Sequence, residues 1–119
     1  MANYWKLYKK AKAFYFSLGK IKCPALNDEE IIFDWRGFRH FLHKERRKRS
    51  VPDQIRRFKI LFKMPDLIKS AKILDRRDKS DENRKTVFLS LLCKDEDTIV
   101  KIVTLDDSHN KYFISIMDY

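Results

Sequence analysis

TVFLSLLC (86–93), TIVKIVTL (98–105) and KYFISIM (111–117) decide the fold. In these runs the apolar period falls from 3.6 to 2, and Val, Ile, Leu, Phe and Tyr dominate. Lys94–Asp97 and Asp106–Asn110, between the runs, have turn composition. Three strands joined by short connections form an antiparallel meander.

Working back from residue 86, the stretch DRRDKSDENRK (75–85) contains no apolar residue and reads as a mobile loop. Before it, the spacing is helical. Tyr4, Trp5, Tyr8, Ala11, Tyr15 and Leu18 recur every three or four residues with Lys6, Lys9, Lys10 and Lys12 between them, and Gly19 is a natural stop. After Pro24, Ile31-Ile32-Phe33 suffices for a brief strand. Asp34 can cap a helix from Trp35 to about Lys44. ERRKRS (45–50) reads as a basic loop. Ser50 and Pro52 open a helix from about Asp53 to Lys63 with Ile55, Phe58 and Phe62 on one face, and Pro65 separates it from a helical piece over Asp66–Leu74. Helices first and a meander second predict an α+β domain with its N-terminal helices on one face of a small antiparallel sheet. The chain reads as one domain over 1–119: an N-terminal helix (1–20), a short strand with basic helices (31–74), and the strands (86–117).

A length of 119 residues fits a single core. A hydrophobic fraction of 44% with 13% aromatics excludes a disordered tail, and two Gly with three Pro exclude a low-complexity chain. Cys23 and Cys93 are too few for a disulfide scaffold or a zinc site, and both sit among apolar neighbours, as buried thiols in a reducing cytoplasm would. The N-terminal residues do not read as a signal peptide, and no stretch approaches the length of a membrane span. A soluble cytoplasmic protein is the expectation.

The balance of 27 Lys and Arg against 17 Asp and Glu gives +10, which points to a polyanionic partner. The excess is uneven. Residues 36–74 hold thirteen Lys and Arg against Glu45, Asp53 and Asp66, whereas residues 86–119 hold three Lys against six acids. A focused positive surface on the helical half is expected, with ordinary solvated helix faces as the alternative. On a helical wheel of 35–47, Arg36, His40, His43 and Arg47 fall within about 60° of one another, flanked by Arg39 and Lys44. Trp35, Phe38, Phe41 and Leu42 take the opposite side. Neighbouring cations oppose protonation of the imidazoles, so a neutral base would stand beside phosphate-binding groups, as metal-free RNA cleavage requires. Passive surface histidines are the plainer alternative. Two His three residues apart, with no carboxylate or Cys on the same face, make a poor metal site, so neither metal nor other cofactor is expected. Arg56 and Arg57 point away from Ile55, Phe58 and Phe62, as phosphate contacts or as solvated residues. The basic entrance at Arg46, Arg47, Lys48 and Arg49 gains from the dipole of the helix that follows.

In KYFISIM, simple alternation puts Lys111, Phe113, Ser115 and Met117 on one face and Tyr112, Ile114 and Ile116 on the other. If the second set faces the helices, Lys111, Phe113 and Ser115 line an open face on which a base could stack. In the reverse orientation Ser115 belongs to the core face, with its hydroxyl bonded to backbone.

The run FDWRGFRHFLHKERRKRSVPDQIRRFKILFKMPDLI (33–68), with the later strands and KYFISIM, resembles small phage- and toxin-associated nuclease domains related to the barnase, EndoU, colicin and RelE ribonucleases (the BECR grouping). The shared features are an aromatic-x-x-His opening a basic stretch, R-S-x-x-D-Q-I-R-R-F-x-x-L, and a late strand with Lys-x-Phe-x-Ser, together covering about 31–117. The resemblance implies helices on a curved antiparallel sheet and metal-independent cleavage of RNA, with tRNA as a candidate substrate. His40 would be base or acid, Lys44 and Arg49 would hold phosphate, and Ser115 would bond the scissile phosphate or a base. His43 departs from the pattern as a second histidine. An acidic antitoxin or immunity protein is the partner that the analogy implies. A nucleic-acid-binding module without catalysis, and an interaction protein for an acidic partner or membrane surface, are the alternatives.

Overall fold

The helix α1 (Ala2–Leu18) ends where Gly19 takes φ +62°, a left-handed conformation that glycine adopts without a Cβ penalty. The computed structural model describes residues 2–81, 84–95, 98–107 and 110–119. After α1 come β1 (Lys20–Cys23), a 3-10 turn at Pro24–Leu26 and β2 (Glu29–Ile32). Asp34 accepts from Arg36 N at 3.1 Å and starts α2 (Trp35–Leu42). Ser50 accepts from Asp53 N at 3.3 Å and starts α3 (Val51–Leu61), which is followed by α4 (Met64–Lys69).

Four longer strands, β5 (Lys72–Asp81), β6 (Arg84–Asp95), β7 (Thr98–Asp106) and β8 (Lys111–Asp118), complete a six-stranded sheet in the order β1-β2-β8-β7-β6-β5. All neighbours are antiparallel except β2 and β8, which run parallel. The expected meander is β6-β7-β8, widened on both sides. The architecture is α+β, with helices against a curled, mostly antiparallel sheet.

Three local readings need correction. Helix α2 stops at Leu42 and not near Lys44, so His43 and Arg47 leave it for two short strands and do not share a helix face with Arg36 and His40. The apolar-free stretch at 75–85 is not a loop in its described part: β5 pairs with β6 from Lys72 to Asp81. An edge strand can draw its stability from backbone hydrogen bonds to one neighbour, and its charges guard the open edge against further pairing. For the same reason the helical piece before it stops at Lys69. Glu82 and Asn83 lie outside the described residues, as do Glu96, Asp97, Ser108 and His109 in the expected turns. The basic loop at 45–50 is instead a small hairpin in which β3 (His43–Lys44) pairs with β4 (Arg47–Lys48), and Glu45 turns the chain at φ +57°.

The helix-facing side of the sheet carries Leu89, Leu91 and Cys93 from β6, Val100, Ile102 and Thr104 from β7, and Phe113 and Ile116 from β8, all buried. The three-residue step from Phe113 to Ile116 arises from a bulge: Val103 pairs with Ser115 but Thr104 with Phe113, leaving Ile114 as the extra residue. Against this face, Tyr15 of α1 meets Phe33, Phe38, Phe41 and Phe113 at ring-centroid distances of 5.4–6.1 Å. Each such ring pair adds about 0.5–1.5 kcal/mol beyond its area burial. Tyr15 Oη also donates to Asp34 O at 2.7 Å, tying α1 to the residue that caps α2.

Helix α2 lies directly on β8 through Gly37. A Cβ there would come 2.5 Å from Phe113 Cδ2 and 2.7 Å from Phe113 O. Gly37→Ala therefore sets a steric cost of about 1–3 kcal/mol against a gain in helix propensity of about 1 kcal/mol. The obstacle includes backbone, which cannot swing aside, so the cost wins. Urea unfolding of Gly37→Ala should show a lowered midpoint at an unchanged slope; an unchanged or raised midpoint would refute the close approach.

Candidate functional site

The basic residues singled out from the sequence separate into two groups, those already held by the protein's own acids and those that are not. Asp53, in the first turn of α3, organises the first group. Arg49 Nη1 reaches Asp53 Oδ2 at 3.2 Å, Arg56 Nη2 reaches Oδ1 at 2.8 Å, and Arg57 Nε reaches Oδ1 at 3.3 Å. Arg49 Nε also donates to His40 O at 2.7 Å, locking the end of α2 to the start of α3, and its side chain is only 9% exposed. Arg57 donates to Ile116 O as well, and Arg56 reaches Asp118 at 2.5 Å. Arg49, Arg56 and Arg57 thus join α2, α3 and β8 to one another. Arg49, expected as a phosphate holder, is instead nearly buried and tied to His40 O and Asp53, which leaves little of its guanidinium open to a ligand.

Burial pushes the Asp53 carboxyl up, but the Arg56 hydrogen bond and the charges of Arg57 and Arg49 more than offset that, and it is held below the usual carboxylate range. Gln54 beside it is fully buried, donating to Arg49 O at 2.7 Å and accepting from Tyr4 Oη of α1.

His40 is half-buried. Burial is the largest cause pulling its pKa below 6.5, followed by the charges of Arg49, Arg39 and Arg57. The imidazole is therefore uncharged at neutral pH, as the sequence suggests, though more through desolvation than through neighbouring cations. His43 starts the hairpin, and its buried Nδ1 has no hydrogen-bond partner among the described residues.

The late strand does not supply the expected second half. Phe113 is fully buried in the core and can stack no base. Ser115 shares the register of Val103 and Ser90, on the sheet face turned away from the helices. The bulge at Ile114 is the physical reason, since it resets the alternation that would have put Phe113 and Ser115 side by side. His40, on a helix, and the Ser115 hydroxyl therefore lie on opposite sides of the sheet. Lys111 is paired with Glu29 and with Asp106 (3.2 Å to Oδ2) at the acidic end of the sheet. Arg36 is bonded to Asp34 and lies over the Tyr112 ring, 4.2 Å from its centroid.

The second group remains. Arg39 on α2 and Lys44, Arg46, Arg47 and Lys48 on the hairpin are exposed, and none has an ion-pair partner among the described residues. Glu45 is the single acid within 43–48. Two aromatic residues expected in the core belong to the surface as well. Trp35 is 52% exposed and lies parallel to Phe16, and Trp5 is 58% exposed. Trp35 is the first residue of α2, where a side chain overhangs the preceding turn and does not enter the interface. Its place directly after the Asp34 cap is the signal that could have found it. No group of His, Cys, Asp and Glu suited to a metal ion occurs among the described residues. No helix among the described residues is long and apolar enough to cross a membrane.

No protein-family model, curated protein or solved structure matches this chain.

Asp53→Asn removes the charge that neutralises the nearly buried Arg49 and should cost about 2 kcal/mol. Because the Asp53 pKa is depressed in the folded state, its contribution is full above the ordinary carboxylate pKa and is lost as pH falls through the folded value. Urea midpoints measured from neutral to acid pH should show a shallower acid decline in Asp53→Asn than in the wild type. Parallel curves would show that Asp53 does not carry the coupling.

Proposed function

We propose that this domain binds nucleic acid, without cleaving it, through the basic surface formed by Arg39 and the β3–β4 hairpin. The observation that carries the reading is the sorting of cations: in a chain of net charge +10, the arginines between helices and sheet are ion-paired internally, while Arg39 and the hairpin cations project with no ion-pair partner among the described residues. Cations with a purely structural role would be expected to find carboxylates, as Arg49 and Arg57 do. A hairpin turned by Glu45 presents successive side chains on both of its faces, which suits contact with consecutive phosphates.

Metal-free RNA cleavage is a second reading, favoured by the uncharged His40 imidazole beside the free Arg39. Helices on a curled antiparallel sheet are the feature that supports a BECR-like or RelE-like membership. Under this reading a different group must replace Ser115, and an acidic antitoxin or immunity protein would compete for the hairpin. The buried thiols of Cys23 and Cys93 support a reducing, cytoplasmic setting under either reading.

Equilibrium binding to a short RNA across a range of salt tests the proposal. The logarithm of the affinity should fall linearly with the logarithm of salt. Replacing Lys44, Arg46, Arg47 and Lys48 together by Ala should flatten that slope by about 3. An unchanged slope would remove the hairpin from the interface. Incubation of the RNA in EDTA separates the two readings: the RNA should stay intact, whereas 2′,3′-cyclic phosphate ends that vanish in His40→Ala would establish cleavage instead.

A further inference from the structure

We infer that Phe16 and Trp35 form a base-stacking platform, so that the ligand of the basic surface is single-stranded nucleic acid with unpaired bases. The inference rests on the nucleic-acid reading above and names the form of ligand which that surface takes. The two rings come from different helices and are nearly parallel, with an interplanar angle of 11° and centroids 6.1 Å apart. They are 43% and 52% exposed, too open for core residues, although α1 and α2 each bury other aromatics fully. Each ring has a cation one helical turn away on its own helix: Lys12 precedes Phe16 on α1, and Arg39 follows Trp35 on α2. Lys12 Nζ lies over the Trp35 ring, 5.9 Å from its centroid, so a base stacking on that face would move the flexible lysine aside toward its own phosphate. Phe38 backs both rings, at 5.6 Å from Phe16 and 5.9 Å from Trp35, so the pair is held in place before any ligand arrives.

This arrangement has the chemistry of a single-strand site: two near-parallel, half-exposed rings on which a base can stack, with Lys12 and Arg39 on the same two helices for the neighbouring phosphates. A duplex keeps its base faces stacked internally and could use only the cations. An anionic membrane surface is the other occupant that exposed aromatics and lysines can suit. It is disfavoured because the apolar area here is a backed, flat pair of rings flanked by charge, not a continuous protruding apolar face.

The test uses the full chain carrying Trp5→Phe, which leaves Trp35 as the sole tryptophan. Fluorescence is titrated at fixed salt with an unstructured 12-nucleotide RNA, the same sequence as DNA, the corresponding duplex, and anionic vesicles of phosphatidylserine and phosphatidylcholine. Both single strands should quench Trp35, and Trp35→Ala, followed by anisotropy of labelled strands, should weaken their binding about 10-fold while leaving duplex affinity and the salt slope unchanged. Phe16→Ala should weaken single strands similarly and Trp35→Phe should restore most of the loss, provided each variant retains its circular-dichroism spectrum and melting temperature. Single strands that bind with full affinity in both alanine variants would overturn the platform while leaving the basic surface intact. Equal losses for duplex and single strand would also overturn it. A blue-shifted Trp35 with vesicles and no binding to any nucleic acid would overturn both this inference and the function on which it rests.

Discussion

The absence of a side chain at residue 37 lets one turn of α2 rest on the backbone of β8, and the placement of the other elements follows from that contact. With α2 seated there, Phe38 and Phe41 meet Tyr15, Phe58 and Phe113 in a continuous aromatic core. The Asp34 carbonyl comes within reach of the Tyr15 hydroxyl, and the C-terminal end of α2 is carried to the arginine cluster around Asp53. A helix lifted by one methyl group would loosen the rings and the cluster together, because interiors at this density transmit displacement.

The second layer of organisation is electrostatic. Three arginines on one aspartate is an uneven ratio, and its effect is to consume guanidinium donors at the junction of α2, α3 and β8. Once these are assigned to holding the fold, the positive charge left over includes that of Arg39, the β3–β4 hairpin and the lysines of α1. On the sheet, Glu29 and Asp106 hold Lys111.

Much of this was legible in the sequence, and the failures are physically instructive. The period-two runs, the Asp34 and Ser50 caps, and Gly19 as a helix stop are local signals, and the strands and helices stand where those signals put them. The strand over 72–81 was not legible, because an edge strand needs only one hydrogen-bonded neighbour and leaves no apolar alternation to read. The turn of Phe113 into the core was hidden for another reason. A bulge is a relation between two strands, and the single-strand pattern of KYFISIM carries no mark of it. At the site, the chain of cations was visible but its division was not, since pairing with Asp53 depends on which helix ends meet in space. The Phe16–Trp35 pair was missed because wheel geometry assigned Trp35 to a buried face that begins only later in α2, at Gly37 and Phe38.

The central claim is that a nucleic-acid ligand lies along the helical side of the molecule, from the hairpin toward Trp35, and not on the open sheet face. Amide and indole proton NMR of the labelled protein, titrated with a short unstructured RNA, tests this most directly. The account predicts shifts concentrated at 43–48, Arg39 and the Trp35 indole, with Ser90, Val103 and Ser115 unmoved. Shifts centred on Ser90, Val103 and Ser115, with the hairpin silent, would contradict it.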